Sequence, residues 1–144
     1  MSEWIETKVS FDKTMSNGFN KRVTELYLVN ALSFTEAEAN ITKEMQCFIS
    51  GEFSVSAVKK SNISEIFFVE DGDRWYKVKV AYIEVNEKNG EEKRVGQYIL
   101  VQAKDFIGAY NNFMDGMKQS MADFEIESIV ETKIMDVYDY NMGE

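Results

Sequence analysis

The sequence repeats itself, and this repeat constrains the fold more than any other feature. Residues 17–45 match residues 89–117 at a displacement of 72, with 12 identities in 29 positions, where composition alone would give about two. Outside this window the displacement becomes 71, so that Trp4 matches Trp75. A nearly constant displacement over most of a chain is the signature of a duplicated structural unit. We therefore expect two copies of one arrangement of helices and strands.

The two copies, at about 3–69 and 74–138, show the same order of predicted elements. Each begins with two segments that alternate between apolar and polar residues around an Asn-Gly pair, at 17–18 and 89–90. Such a pair predicts a β-hairpin because both residues favour the positive φ of a tight turn. A capping residue and an apolar stripe with helical spacing then predict a helix. The alternating end of each copy is either two strands or one bent strand, so the unit is β-β-α-β(-β).

These elements predict an α+β fold with a mainly antiparallel sheet and two helices packed on one side. A single copy has an apolar sheet face and only one helix to cover it. We therefore expect the copies to pack about a pseudo-twofold axis, which makes residues 1–144 a single compact domain. The helical stripes predict that six side chains are buried between helices and sheet: Phe34, Ile41, Met45, Phe106, Phe113 and Met117.

The absence of histidine excludes several classes of enzyme. Catalysis by Ser-His-Asp or Cys-His groups and zinc sites that use histidine all require this residue. Cys47 is the only cysteine, so the chain forms no intrachain disulfide, and no basic partner for a reactive thiol is evident. We expect no cofactor and no metal. An enzyme that uses carboxylate, lysine or tyrosine groups remains an alternative.

The chain is acidic, with 25 acids, 16 bases and a formal charge of -9. Because an acidic protein repels a polyanion at long range, we expect no binding to duplex DNA. No run of eighteen apolar residues occurs, and residues 1–6 carry acids where a secretory signal carries bases. The sequence therefore predicts a cytoplasmic protein that does not bind membranes.

Six residues are the candidates for an interaction site: Lys21, Arg22, Lys93, Arg94, Trp4 and Trp75. Two pairs of bases after the predicted hairpin turns could hold a phosphate backbone, although charged hairpin ends also deter edge association. Repeated aromatic residues on a sheet can stack nucleobases, although a repeated tryptophan is more often a core anchor. The overall acidity favours the structural interpretation of the bases.

Several strings of the sequence together resemble a known family. They lie at 27–39, 49–53, 73–75, 100–103, 121–124 and 134–137. In combination they are similar to the family catalogued as domain of unknown function 4494, whose members are small bacterial proteins found largely in Bacteroidetes. The resemblance implies a stand-alone cytoplasmic protein with no assigned activity, cofactor or catalytic residue.

The function that the sequence favours is non-catalytic binding or interaction, with a protein as the partner. Its support is the absence of histidine, phosphate loops and metal-ligand spacings. A protein that binds single-stranded nucleic acid is the alternative, and it depends on the paired bases and the repeated aromatic residues.

Overall fold

The computed structural model describes residues 3–140, which form eight strands and two helices. The elements of the first repeat are β1 (Glu3–Thr14), β2 (Asn20–Ala31), α1 (Phe34–Gln46), β3 (Phe53–Lys60) and β4 (Ile63–Phe67). Those of the second repeat are β5 (Arg74–Val85), β6 (Glu92–Ala103), α2 (Phe106–Met117), β7 (Asp123–Glu131) and β8 (Ile134–Tyr138). The α+β class and the repeated order of elements are confirmed. Each copy ends in two strands rather than one bent strand.

The two repeats exchange their last strands. The chain forms two units, one from residues 3–61 and 133–140 and the other from residues 62–132. Sheet 1, in unit 1, has the order β3-β1-β2-β8, and sheet 2, in unit 2, has the order β4-β6-β5-β7. Strand β8 of the second repeat therefore completes the sheet of the first, and β4 of the first repeat completes the sheet of the second. The expectation of a single compact domain stays a prediction.

Among the described residues, the exchanged strands form the only parallel strand pairs. Strand β8 pairs in parallel with β2, and β4 pairs in parallel with β6, whereas the other pairs are antiparallel. Equivalent amide side chains hold the ends of both exchanged strands. The Asn30 Oδ1 accepts a hydrogen bond from the Tyr140 backbone N–H at 2.7 Å, and the Gln102 Oε1 accepts one from that of Val69 at 3.0 Å. The exchange is therefore built in the same way twice.

The two hairpin loops confirm the one-residue insertion that the change of displacement indicates. The first loop covers residues 15–19 and the second covers residues 86–91. Gly18 has a φ of 86° and Gly90 has a φ of 71°, while no other described residue has a positive φ. Only the glycine of each Asn-Gly pair therefore adopts the left-handed conformation, and neither loop is the two-residue turn in which both residues do so.

Each helix begins at a side-chain cap that its sequence predicts. The Ser33 Oγ accepts a hydrogen bond from the Glu36 backbone N–H at 3.1 Å, and the Asp105 Oδ1 accepts one from that of Gly108 at 2.7 Å. These bonds satisfy N–H groups that have no partner within the first turn. Each cap fixes where its helix starts and thus which helical face lies on the sheet.

Each unit has an apolar core between its helix and one face of its sheet. In unit 1 the buried residues of this core are Ile5, Val9, Tyr27, Val29, Ala31, Ala37, Ile41 and Met45. In unit 2 they are Val78, Val80, Ile99, Val101, Phe113 and Met117, with Tyr76, Ala103 and Ala109 in an adjoining cluster. Alternate residues of β1 and β5 face the helices, as the period of two in a strand requires.

The predicted burial of Phe34 and Phe106 is wrong. Their relative exposures are 54% and 56%, whereas the other four predicted core residues are buried: Ile41, Met45, Phe113 and Met117. Phe34 and Phe106 occupy the first position of their helices, where the Cα–Cβ bond tilts back toward the N-terminus and beyond the first turn. The buried stripe instead begins one turn later, at Ala37 and Ala109.

Candidate functional site

The four candidate bases lie at the loop ends of two hairpins, one in each unit. Lys21 and Arg22 belong to the first residues of β2, and Lys93 and Arg94 to the first residues of β6. All four side chains are exposed. Each pair lies beside one loop, but its two bases point to opposite faces of the sheet, because consecutive residues of a strand alternate in direction.

The two arginines have different partners. The Arg22 Nη1 lies 3.5 Å from the Asp12 Oδ1, and its Nη2 donates a long hydrogen bond of 3.4 Å to the Ser54 Oγ. The Arg94 Nη1 lies 2.9 Å from the Glu125 Oε2. Ser54 and Glu125 occupy equivalent positions of β3 and β7. A close carboxylate therefore neutralises Arg94, whereas a hydroxyl group stands at the same place beside Arg22.

The two hairpin ends also differ in charge. Residues 10–24 contain three bases and one acid, which gives a formal charge of +2. The equivalent residues 81–96 contain three bases and four acids, which gives -1. Two pairs that look alike in the sequence thus lie in opposite electrostatic surroundings, and only the first hairpin end is positive.

The two repeated tryptophans differ in their exposure. Trp75 is 3% exposed, and its ring meets that of Phe68 edge-on, with 5.8 Å between the ring centroids. Trp4 is half-buried, and its backbone oxygen accepts a hydrogen bond from the Ser61 N–H at 3.0 Å. Because its ring is buried, Trp75 offers no face on which a nucleobase could stack. The core-anchor interpretation fits this residue.

Unit 1 contains a tyrosine–carboxylate cluster that sequence reasoning did not find. The rings of Tyr27 and Tyr138 stack with 6.0 Å between their centroids, and the Tyr27 Oη donates to the Glu25 Oε1 at 3.0 Å. The Tyr140 Oη lies 2.7 Å from the Glu44 Oε1. The signal was hard to find because unit 2 has Ile99 and Phe67 at the positions of Tyr27 and Tyr138, and because β8 meets β2 only through the strand exchange.

The chemistry of this cluster favours hydrogen-bond donation over nucleophilic attack. Burial raises the pKa of Tyr138 to about 12, and the nearby Asp136 carboxylate adds to the rise. Burial and the Glu25 carboxylate raise the pKa of Tyr27, and burial and the bond to Glu44 raise that of Tyr140. All three phenols therefore stay neutral near pH 7. A neutral phenol in an acidic setting is a poor nucleophile and a poor base.

The solvent side of the N-terminal part of α2 is apolar, which is the second feature that sequence reasoning missed. Phe106, Ile107 and Tyr110 are 56%, 71% and 45% exposed. The residues of α1 equivalent to Ile107 and Tyr110 are Thr35 and Glu38. A comparison of the two repeats at exposed helical positions could have found this difference. Identities between repeats mark the shared core, whereas differences mark surfaces that only one copy carries.

The residues that could bind a metal or act as a nucleophile lie apart from one another in the described chain. Within residues 3–140, no group of three or more cysteine, aspartate or glutamate side chains is arranged to hold a metal ion. Cys47 is exposed, and its Sγ lies 3.8 Å from the Lys43 backbone oxygen. Neither helix within that range has the length and apolar character needed to cross a membrane.

Comparison with known proteins identifies the family of this chain. Residues 3–140 match the family model described as Domain of unknown function (DUF4494). The chain belongs to this family, as its strings predict, and the description assigns no function. No curated protein and no solved structure matches the chain. The expected origin in Bacteroidetes stays a prediction.

Proposed function

We propose that this member of a family without an assigned function is a non-catalytic binding protein, and that the outer face of α2 docks a partner protein. We define the α2 face by three exposed residues: Phe106, Ile107 and Tyr110. This face is the observation that carries the proposal. Contiguous exposed apolar side chains on a soluble protein mark interaction surfaces more often than scattered ones do.

The composition of the α2 face supports protein binding in particular. The only charged residue among the twelve of α2 is Asp115, whereas α1 carries Glu36, Glu38, Lys43 and Glu44. In a chain with a formal charge of -9, an uncharged helical face gives a partner an approach without strong repulsion. Aromatic and large aliphatic side chains are also the residues that dominate the energetics of protein interfaces.

The equivalent helix of the other unit provides a matched control. A photocrosslinking amino acid replaces Ile107 in one variant and Thr35 in the other, each in the full chain expressed in the source cells. We expect a discrete adduct of defined mass from position 107 and none from position 35. Adding Tyr110→Glu, which installs the residue that α1 has at this position, should abolish the adduct because it places a charge on the contact surface.

Two outcomes would contradict the proposal. Adducts of equal yield from positions 107 and 35 would show that the α2 face has no special affinity for a partner. An adduct at position 107 that survives Tyr110→Glu would show that the apolar face does not hold the partner.

Single-stranded nucleic acid remains the alternative ligand, and its support comes from the first hairpin. Lys21 and Arg22 lie on a hairpin end with a charge of +2, whereas Lys93 and Arg94 lie on one with a charge of -1.

We also propose that the protein acts in the cytoplasm, since its single cysteine, Cys47, is exposed and unpaired, as in proteins of reducing compartments.

A further inference from the structure

We propose that unit 1 binds one phosphate monoester group on the face of sheet 1 that points away from α1, through Arg22 and Ser54. This phosphate site is independent of the α2 face. Val9 and Phe11 of β1 pack toward α1, so the alternate residues Ser10 and Asp12 point to the opposite face. Arg22 pairs with Asp12 across the strands, and Ser54 pairs with Ser10.

Arg22 is held loosely enough to accept a better partner. Its contacts to Asp12 and Ser54 measure 3.5 and 3.4 Å, and its side chain is 57% exposed. Charge-assisted bonds between a guanidinium and a phosphate are about 2.7–2.9 Å long and are often bidentate. An incoming phosphate therefore offers Arg22 shorter bonds than those it has. Ser54 accepts from Arg22, and its own hydroxyl proton can be donated to a phosphate oxygen.

A row of hydroxyl groups lies beside this arginine. The Ser10 Oγ lies 2.9 Å from the Thr24 Oγ1 and donates to the Ser56 Oγ at 3.1 Å. This row keeps the surface next to Ser54 polar, and the nearby carboxylate is that of Asp12, on the other side of the Arg22 guanidinium. Because the Ser56 Oγ donates in turn to the Lys8 backbone oxygen, the row also fixes the spacing between β1 and β3.

Unit 2 lacks every feature of the phosphate site except its arginine. The residues equivalent to Ser10, Thr24, Ser54 and Ser56 are Ala81, Gly96, Glu125 and Glu127. The Glu125 carboxylate forms an ion pair with the Arg94 guanidinium, with 2.9 Å between Oε2 and Nη1. Its negative charge would repel a phosphate. At the position of Ser54, unit 1 thus has a hydroxyl group and unit 2 has a carboxylate, whereas at the position of Asp12 unit 2 has Ile83.

The charges favour a single phosphate rather than a nucleic-acid strand. Lys13 and Lys21 pair with each other at the same hairpin end and attract an anion at long range, but they point to the opposite face of the sheet from Arg22, and these cations are confined to that end. Asp12 flanks the site, and the whole chain carries a charge of -9, which opposes a polyanion. A small phosphate monoester requires only the local positive charge.

The test exchanges the two residues that distinguish the copies. Phenyl phosphate is titrated at constant ionic strength into the full chain, and the arginine Nε–Hε signals are followed by NMR. We expect the Arg22 signal to shift with saturation while that of Arg94 stays fixed. Ser54→Glu should weaken the response by about tenfold or more, as expected for loss of a bond to a charged group. Glu125→Ser should make the Arg94 signal respond.

The backbone amide spectrum of each variant shows whether it remains folded, and Arg94→Gln is the control that should leave the Arg22 response unchanged. Equal responses from both arginines in the wild-type chain would overturn the proposal, as would unchanged binding in a folded Ser54→Glu variant. Single-stranded oligothymidylate is the second probe. Binding of this probe at Arg22 where phenyl phosphate has no effect would reject the phosphate monoester and favour nucleic acid.

Discussion

Phe106 and Phe113 show that position along one helix decides whether a phenylalanine side chain is buried or exposed. Phe113 is fully buried. The centroid of its ring lies 6.0 Å from that of Phe67 and 5.8 Å from that of Phe124. Phe106 belongs to the same apolar stripe in the sequence, but it stands at the first helical position and is half exposed. A helical stripe predicts which direction a side chain faces and does not predict whether the sheet extends far enough to cover it.

Truncation of these two residues should therefore have different effects. We expect Phe113→Ala to lower the free energy of unfolding by about 3–5 kcal/mol, because it removes a buried ring and leaves a cavity. Phe106→Ala should cost about 1 kcal/mol or less, as is usual for exposed positions. Urea unfolding in a Trp4→Phe background, where Trp75 reports on unit 2, measures both. Equal costs would contradict the burial described for Phe106.

Helix α2 packs closely against the exchanged strand β4. A Cβ atom added at Gly116 would lie 2.6 Å from the Cδ2 and Cε2 atoms of the Phe67 ring. Glycine normally weakens a helix interior by about 1 kcal/mol relative to alanine. Its presence here lets the helix approach a strand that comes from the other repeat.

We expect Gly116→Ala to destabilise unit 2 by about 1–3 kcal/mol, because the steric conflict exceeds the gain in helix propensity. The double variant with Phe67→Leu should cost less than the sum of the single variants, because the smaller side chain relieves the conflict. Gly51→Ala is the matched control, since an added Cβ there meets no atom within 4 Å. Strict additivity of Gly116→Ala and Phe67→Leu in urea unfolding would show that the two residues do not touch.

For the full chain, the sequence predicts the repeated elements and does not predict how they assemble into sheets. Identities between repeats and the alternating patterns predict β-β-α-β-β, because turn chemistry and periodicity are local properties. The alternating patterns of β4 and β8 are compatible with pairing to the sheet of either repeat. To join a sheet, a strand requires only an apolar face and a free edge of that sheet. The exchange is a long-range choice that no local signal encodes.

The candidate site was partly predictable for a similar reason. The position of Arg22 at a hairpin end follows from the Asn-Gly loop and the strand pattern. Its surroundings do not, because Asp12 lies on β1 and Ser54 lies on β3, one strand further away, and the register of both strands depends on pairing. The aligned repeats already show Ser54 in one copy and Glu125 in the other. That this difference changes the surroundings of an arginine is evident only from the structure, which places each residue beside one.

Backbone nuclear Overhauser effects in the full chain measure directly whether each unit is completed by the last strand of the other repeat. Paired strands lie about 4.8 Å apart, within range of the method. We predict backbone contacts between Ile66 and Leu100 and between Val137 and Leu28, the pairs that the exchange brings into register. Backbone contacts between Ile66 and Leu28 and between Val137 and Leu100 would show that each repeat keeps its own last strand and that the strands are not exchanged.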